Sequence, residues 1–393
     1  MVALSEDEQE FFTPNSMASS VTRHALIPLQ AGFTFLSAGI DSLDLGGYVE
    51  WDARWPKTLA MLQVKKDRAQ NTKGLLSQTS TDRKFLHLPT GKPPNYRFHL
   101  QFPEYHIYIG ITPTPQQAPN VYLSFNAEAL WHLGPKRCVH LAESDIKTLG
   151  GDVLFMQPSR IDLCADFRIP GDLSLPFLEA HKVSRSRSQQ EFKNNGELET
   201  IYVGAPGAPI RLRIYNKGKE IEKSGKRWFL SIWGTNEAKA VWRVEYQVRR
   251  KALKQFGIIS FQELLQKSGG LWSYLTEEWC SFRLPDNDKQ DRREVHPWWN
   301  EVQALTPHFG KAMKLQRLTE SEFKTPVNWY VSHIAGCLPS IAARNNTPSL
   351  FDAVHFLNNA LYAYWFEKSF DLEYQKRVIK LGKHPKEVVD END

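Results

Sequence analysis

Cysteine is scarce in this chain of 393 residues: Cys138, Cys164, Cys280 and Cys337 are its four. None is paired by spacing, which argues against a disulfide framework and fits a reducing cytoplasm. Cys138 and His140 stand at a ligand-like interval, but no second such pair lies nearby, so a zinc site is not expected. No apolar run approaches the length of a bilayer-spanning helix. The acidic N-terminus (Glu6, Asp7, Glu8, Glu10) lacks the apolar core of a secretory signal. No internal repeat of fixed period is visible. The expectation is a soluble, cytoplasmic protein with no membrane partner.

What is present is material for a core. Hydrophobic residues make up 41% of the chain and aromatics 12%, which excludes a disordered polypeptide. Lys+Arg (49) exceed Asp+Glu (44), a net charge of +5 that suits a polyanionic partner without requiring one. The basic residues concentrate between 205 and 255, from Arg211 and Arg213 through Lys217, Lys219 and Lys223 to Arg249, Arg250 and Lys254. The end of the chain after Lys386 is acidic instead.

Periodicity and punctuation predict an α+β domain followed by a mostly helical region. Residues 1–25 are polar and Ser-rich and are expected to be a disordered tail. Residues 26–255 form the α+β domain. Its expected strands include Tyr48–Trp51, Tyr96–Phe102, Tyr105–Ile109, Val121–Phe125, Ser159–Phe167, Thr200–Gly204, the run around Tyr215, and Ala240–Arg249. Helices are expected over Arg54–Ala69, Ala127–Leu133 and Leu173–Lys182. Residues 256–375 read as helical, opened by the capping-box pattern Ser260-Phe-Gln-Glu263, with further helices over Leu271–Phe282, Glu322–Leu338 and Ser349–Phe366. Residues 376–393 read as a charged tail.

Three of the strands carry matched polar faces. Alternate side chains of a strand share a face. Arg160, Asp162, Cys164 and Asp166 therefore align on one strand, Arg211, Arg213, Tyr215 and Lys217 on a second, and Arg243 and Glu245 on a third. A phenol among fixed cations suits attack on a phosphodiester, with Arg213 and Lys217 holding the phosphate and favouring the phenolate. Asp162, Asp166 and Glu245 form a hard-oxygen set suited to Mg²⁺ or Mn²⁺. Taken one pair at a time, the same residues are ordinary surface salt bridges on an antiparallel sheet. Tyr202 is an alternative nucleophile with apolar flanks, and reads first as a packed or phosphate-touching aromatic. Trp298-Trp299 reads first as a core or interdomain contact, with base stacking the alternative.

Ser159-Arg-Ile-Asp-Leu-Cys-Ala-Asp-Phe167, Thr200-Ile-Tyr-Val-Gly204, Leu212-Arg-Ile-Tyr-Asn-Lys217 and Val241-Trp-Arg-Val-Glu245 stand in an order that resembles the Rep_trans family of replication initiation factors. The resemblance covers roughly residues 95–255. It implies an antiparallel-sheet, HUH-like nicking domain whose tyrosine, here Tyr215, cuts one DNA strand and stays joined to the 5′-phosphate. Asp162, Asp166 and Glu245 fall on the family's carboxylates. Arg160, Arg211, Arg243, Tyr202 and Lys219 are the expected DNA contacts. The chain has no His-x-His pair, unlike ordinary HUH enzymes, and Ser124 stands where some members carry an acidic residue.

The implied activity is metal-dependent nicking and joining at an origin to initiate rolling-circle replication of a plasmid, phage or integrative element. The partners would be origin DNA, single-stranded at the nick, with host helicase and polymerase as candidates and a homodimer left open. The alternatives are a relaxase of conjugative transfer with the same chemistry, and a non-catalytic DNA-binding regulator on the same scaffold.

Overall fold

The computed structural model describes residues 32–115, 118–169, 173–317, 327–366, 368–371, 373–374 and 377. The tail expected over 1–25, and that over 376–393 apart from residue 377, lie outside the described residues, as does the start of the helix expected from Glu322.

The first half of the chain supplies β1 (Thr34–Trp51), α1 (Trp55–Thr72), β2 (Leu75–Gln78), β3 (Lys84–Leu88), β4 (Phe98–Gln101), β5 (Tyr105–Ile109) and β6 (Val121–Phe125). Next come α2 (Ala127–Leu133), α3 (Pro135–Thr148), β7 (Gly151–Arg168), α4 (Leu175–His181), β8 (Lys182–Ser184), β9 (Gln189–Asn194) and β10 (Glu197–Val203). The second half supplies β11 (Ile210–Asn216), α5 (Lys217–Ser224), α6 (Trp228–Trp233), β12 (Val241–Arg249), α7 (Arg250–Gln255) and α8 (Phe261–Ser273). A π-helical turn (Tyr274–Trp279), β13 (Cys280–Phe282), α9 (Pro297–Ala304), α10 (Thr306–Phe309), α11 (Val327–Arg344) and α12 (Leu350–Phe366) complete it.

Eleven strands form one antiparallel sheet in the order β2-β3-β4-β5-β6-β1-β7-β12-β11-β10-β9, while β13 and β8 make a separate pair. The α+β architecture is therefore as expected. β1 and β7, 18 residues each, pair from Thr34↔Arg168 to Trp51↔Gly151 and form the spine. The sequence pattern marked only the second half of β7, Ser159–Phe167, because Asp152 to Pro158 lacks clean alternation. The helix expected over Leu271–Phe282 instead changes to a π-helical turn and then to β13.

The two faces of this sheet differ. On one, Leu43, Leu45, Leu123, Ile161, Leu163, Val244, Tyr246 and Val248 are buried. Tyr246 meets Trp272 and Trp279 there, and Trp298 and Trp299, both 0% exposed, belong to this core rather than to any base-stacking surface. On the other face, α2, α5 and α6 cover only one end of the central strands, through Trp131, Ile221, Phe229 and Trp233. Gly39 makes room for this cover: a Cβ there would lie 3.1 Å from the Trp131 ring. Beyond these helices the face stays half-exposed, in the alternating burial of β5 and β6.

The described chain divides into two compact units, residues up to 252 with 260–315, and 253–259 with 316–393. α8, α9 and α10, from the region read as mostly helical, pack under the sheet in the first of these units. The capping box forms as read: Ser260 Oγ accepts from the Glu263 amide (3.1 Å), and Glu263 Oε2 accepts from the Ser260 amide (2.9 Å). In the second unit, Ser349 Oγ accepts from the Asp352 amide (3.0 Å) at the start of α12. Among the described residues no helix is long and apolar enough to cross a membrane.

Candidate functional site

The three polar strand faces meet. β7, β12, β11 and β10 are successive neighbours, and their register sets Thr200, Tyr215, Arg243, Asp166 and Ser37 in one row across the sheet. The next row on the same face is Tyr202, Arg213, Glu245 and Cys164, followed by Arg211, Gln247 and Asp162, then Arg249, Arg160 and Asp44. Tyr215 thus shares a face with all three predicted carboxylates.

Local sequence explains how Tyr215 and Lys217 come together. Asn216 ends β11 and its side chain accepts from the Lys219 amide (2.9 Å), so it caps α5 and turns Lys217 back toward the strand. Gly204, at the end of β10, has φ +102°, and a Cβ there would lie 2.9 Å from the Ile210 carbonyl oxygen, so glycine is required. Arg211 donates to the Gly204 carbonyl (3.2 Å) and stacks over Tyr202, 3.8 Å from the ring centre.

The Tyr215 hydroxyl donates to Glu245 Oε2 (3.2 Å), and Lys217 Nζ donates to the same hydroxyl (3.4 Å). Arg213 donates to Glu245 Oε1 (2.7 Å) and lies 4.2 Å over the Tyr215 ring, while its buried Nε–H has no acceptor. A cleft of about 360 Å³ opens here, lined by Thr200, Arg213, Tyr215, Asn216 and Lys219 among others. Tyr215 is only 5% exposed. Burial and then the Glu245 carboxylate push its pKa well above the usual phenol value, and Arg243 and Arg213 do not compensate. The expected phenolate is therefore corrected to a neutral phenol held by a carboxylate. Burial, and after it Arg243, lowers the Lys217 pKa.

The carboxylates are each taken by an arginine. Asp166 accepts from Arg243 at both oxygens (2.6 and 2.8 Å), and from Ser37 and the Trp233 indole. Arg160 holds both oxygens of Asp162. Burial pushes Asp162 up to about 7 even though Arg160 opposes it. Among the described residues no group of three His, Cys, Asp or Glu could hold a metal ion. As placed, Asp162, Asp166 and Glu245 do not fit Mg²⁺ or Mn²⁺: an ion would have to displace Arg160 or Arg213.

The expected DNA contacts divide. Arg243 is 0% exposed and serves as an internal counter-ion between Asp166 and Asp41, with no reach to an external phosphate. Lys219 is engaged by Glu197 (2.8 Å). Tyr202, Arg211 and Arg160 remain partly exposed on the face. Asp41 was not singled out in the sequence, because its partner Arg243 lies 202 residues further along the chain and only the sheet brings the two together. Burial alone would raise its pKa, yet Arg243 and Lys217 hold it below the usual carboxylate range. Ser124 Oγ donates to Asp44 Oδ1 (2.7 Å), so an acid stands on the adjoining strand.

Fold and site together define an α+β protein with a large antiparallel sheet, one face of which holds a tyrosine between a carboxylate and two cations. No family model matches the chain, and no curated protein matches it. A solved structure described as the rolling circle replication initiator protein from Geobacillus stearothermophilus is similar, with a TM-score of 0.42 and 16% identity, over 73% of this chain and 100% of that one.

Proposed function

We propose that the chain is a DNA strand transferase that nicks one strand with Tyr215 to start rolling-circle replication. The observation that carries this reading is the Tyr215 hydroxyl held between Glu245 and Lys217 at a cleft, beside an Arg213 N–H that lacks an acceptor. The exposed part of the Arg213 guanidinium, whose side chain is 34% accessible at the cleft, would meet a phosphate oxygen. Tyr215 Oη then bonds to phosphorus, its proton passes to Glu245 Oε2, and the P–O3′ bond breaks. The departing 3′ oxygen takes its proton from Lys217, whose lowered pKa makes it the better acid. The reverse sequence joins the strand again.

A requirement for Mg²⁺ or Mn²⁺ enters as a proposal with a condition, that an ion displaces an arginine from Asp162 or Glu245. No step above runs through it. Cleavage lost in EDTA and restored by Mn²⁺ would support displacement, whereas cleavage unaffected by EDTA would support the side chains alone. A cytoplasmic site of action, host helicase and polymerase as later partners, and a homodimer belong to the same proposal. A relaxase of conjugative transfer would use the same step, and a regulator without catalysis would bind DNA through the same face.

Tyr202 is a second nucleophile candidate for a specific reason: it is more exposed than Tyr215 and carries Arg211 against its ring. The test is adduct formation on a single-stranded oligonucleotide carrying the cut site, resolved on a denaturing gel. Tyr215→Phe should bind the oligonucleotide and form no covalent adduct, while Tyr202→Phe should still form it. An adduct in Tyr215→Phe overturns the assignment.

A further inference from the structure

Far along the same face from Tyr215 lies a second group of side chains that the nicking step does not use. Tyr108 on β5 and Tyr122 on β6 are cross-strand partners, with ring centres 6.2 Å apart, and both are half-exposed. His99 on β4 stacks against Tyr108 at 4.2 Å. Lys92 is exposed and its ammonium lies 4.4 Å over Tyr122 and 5.3 Å over Tyr108. A cleft of about 380 Å³ adjoins them, where Lys92, Arg160, Arg249, Arg250 and Lys251 outnumber a single lining carboxylate, Asp44.

We propose that this aromatic and cationic patch is a platform for single-stranded DNA, on which bases stack against Tyr108 and Tyr122 while Lys92, Arg160 and Arg249 hold phosphates. It rests on the reading above for the identity of the partner. Charge supplies the first reason, since the cleft's cations suit a polyanion. The second is the pair of half-exposed rings: only unpaired bases can lie on them, because a duplex keeps its base faces stacked. Lys92 occupies the ring faces in the free protein. An exposed cation–π contact is weak, so a base can replace the ammonium, which then turns to the phosphate.

Position supports the assignment. The row of Tyr215 reaches Ser37 on β1, and Tyr122 pairs with Gly46 on the same strand. Strand spacing and rise put the two about 35 Å apart along a diagonal of the face, a span of several extended nucleotides. Arg211, Arg249 and Arg160 lie in the rows between. The platform would hold the strand on one side of the nick while Tyr215 works at the other end.

The experiment is fluorescence anisotropy with the full chain and a labelled oligothymidylate of about sixteen nucleotides, beside a duplex of equal length. Tyr108→Leu and Tyr122→Leu should each weaken single-strand binding about tenfold. Lys92→Gln with Arg249→Gln, both at exposed positions, should lower the salt dependence by one to two phosphates and leave thermal unfolding unchanged. Unchanged single-strand affinity in the folded variants overturns the platform. So does a wild type that prefers the duplex and loses it equally in every variant. Adduct formation by the same protein preparations on the single-stranded oligonucleotide that carries the cut site separates the two readings. If platform variants lose binding while the wild type never forms an adduct, the platform stands and nicking falls. If all variants bind as wild type and form adducts, the platform falls alone.

Discussion

At the residue scale, identical side-chain types do different work according to their burial. Arg243 and Asp166 are both 0% exposed, and with Asp41, Ser37 and Trp233 they form a closed polar network under α6. Removing Asp166 takes away the bidentate partner of the fully buried Arg243. Asp166→Ala should therefore cost about 3–5 kcal/mol in denaturant unfolding. Asp162 behaves otherwise. Burial pushes its pKa up to about 7, so its ionised form is costly to keep in the fold despite Arg160. Asp162→Asn should be within about 1 kcal/mol of the parent, or more stable, in the same measurement. Alternation in the sequence put Asp162 and Asp166 on one face correctly, but it could not distinguish an internal counter-ion from a half-open pair, because that depends on what covers the strand.

At the element scale, the hairpin of β10 and β11 sets the geometry of Tyr202, Arg211 and Tyr215. Its sequence was legible because alternation, the Ala205-Pro-Gly-Ala-Pro209 turn and Gly204 agree. Gly204→Ala is strained at φ +102° and presses on the Ile210 carbonyl. It should cost about 1–3 kcal/mol and loosen the Arg211–Tyr202 stack, read as lowered stability with increased exchange of the β10 amides. Other elements were hidden. β2, β3 and β9 are short strands toward the two sides of the sheet, with polar or interrupted sequences that give no periodic signal. The capping residue Ser260 was readable because a cap is a local hydrogen bond and needs no tertiary partner.

At the scale of the whole molecule, one sheet carries both a packed core and a functional face. Covering helices conceal one end of the central strands on that face and leave the rest half-exposed. The sheet also carries a buried imidazole, His87, and a half-buried one, His99. Burial, with Lys65 nearby, lowers His87 to about 4, and burial with His106 and Lys92 lowers His99 likewise to about 4. Both stay neutral in the fold while the unfolded chain takes protons below about 6.5. Their contribution is thus complete above pH 6.5 and is lost as pH falls toward 4. Asp162 acts in the opposite sense over that whole range, so the comparison that isolates the effect is His87→Phe, which should lose less stability than the parent between pH 6.5 and 4, by about 2–3 kcal/mol.

The central claim is that Tyr215 carries the covalent bond to DNA. Protease digestion of the trapped protein–DNA adduct, followed by mass spectrometry of the nucleotide-bearing peptide, tests it most directly. The phosphotyrosyl modification is predicted on the peptide that contains Ile214, Tyr215 and Asn216. A modification on the peptide carrying Tyr202, or a folded protein that binds the cut-site strand and forms no adduct at all, would contradict it.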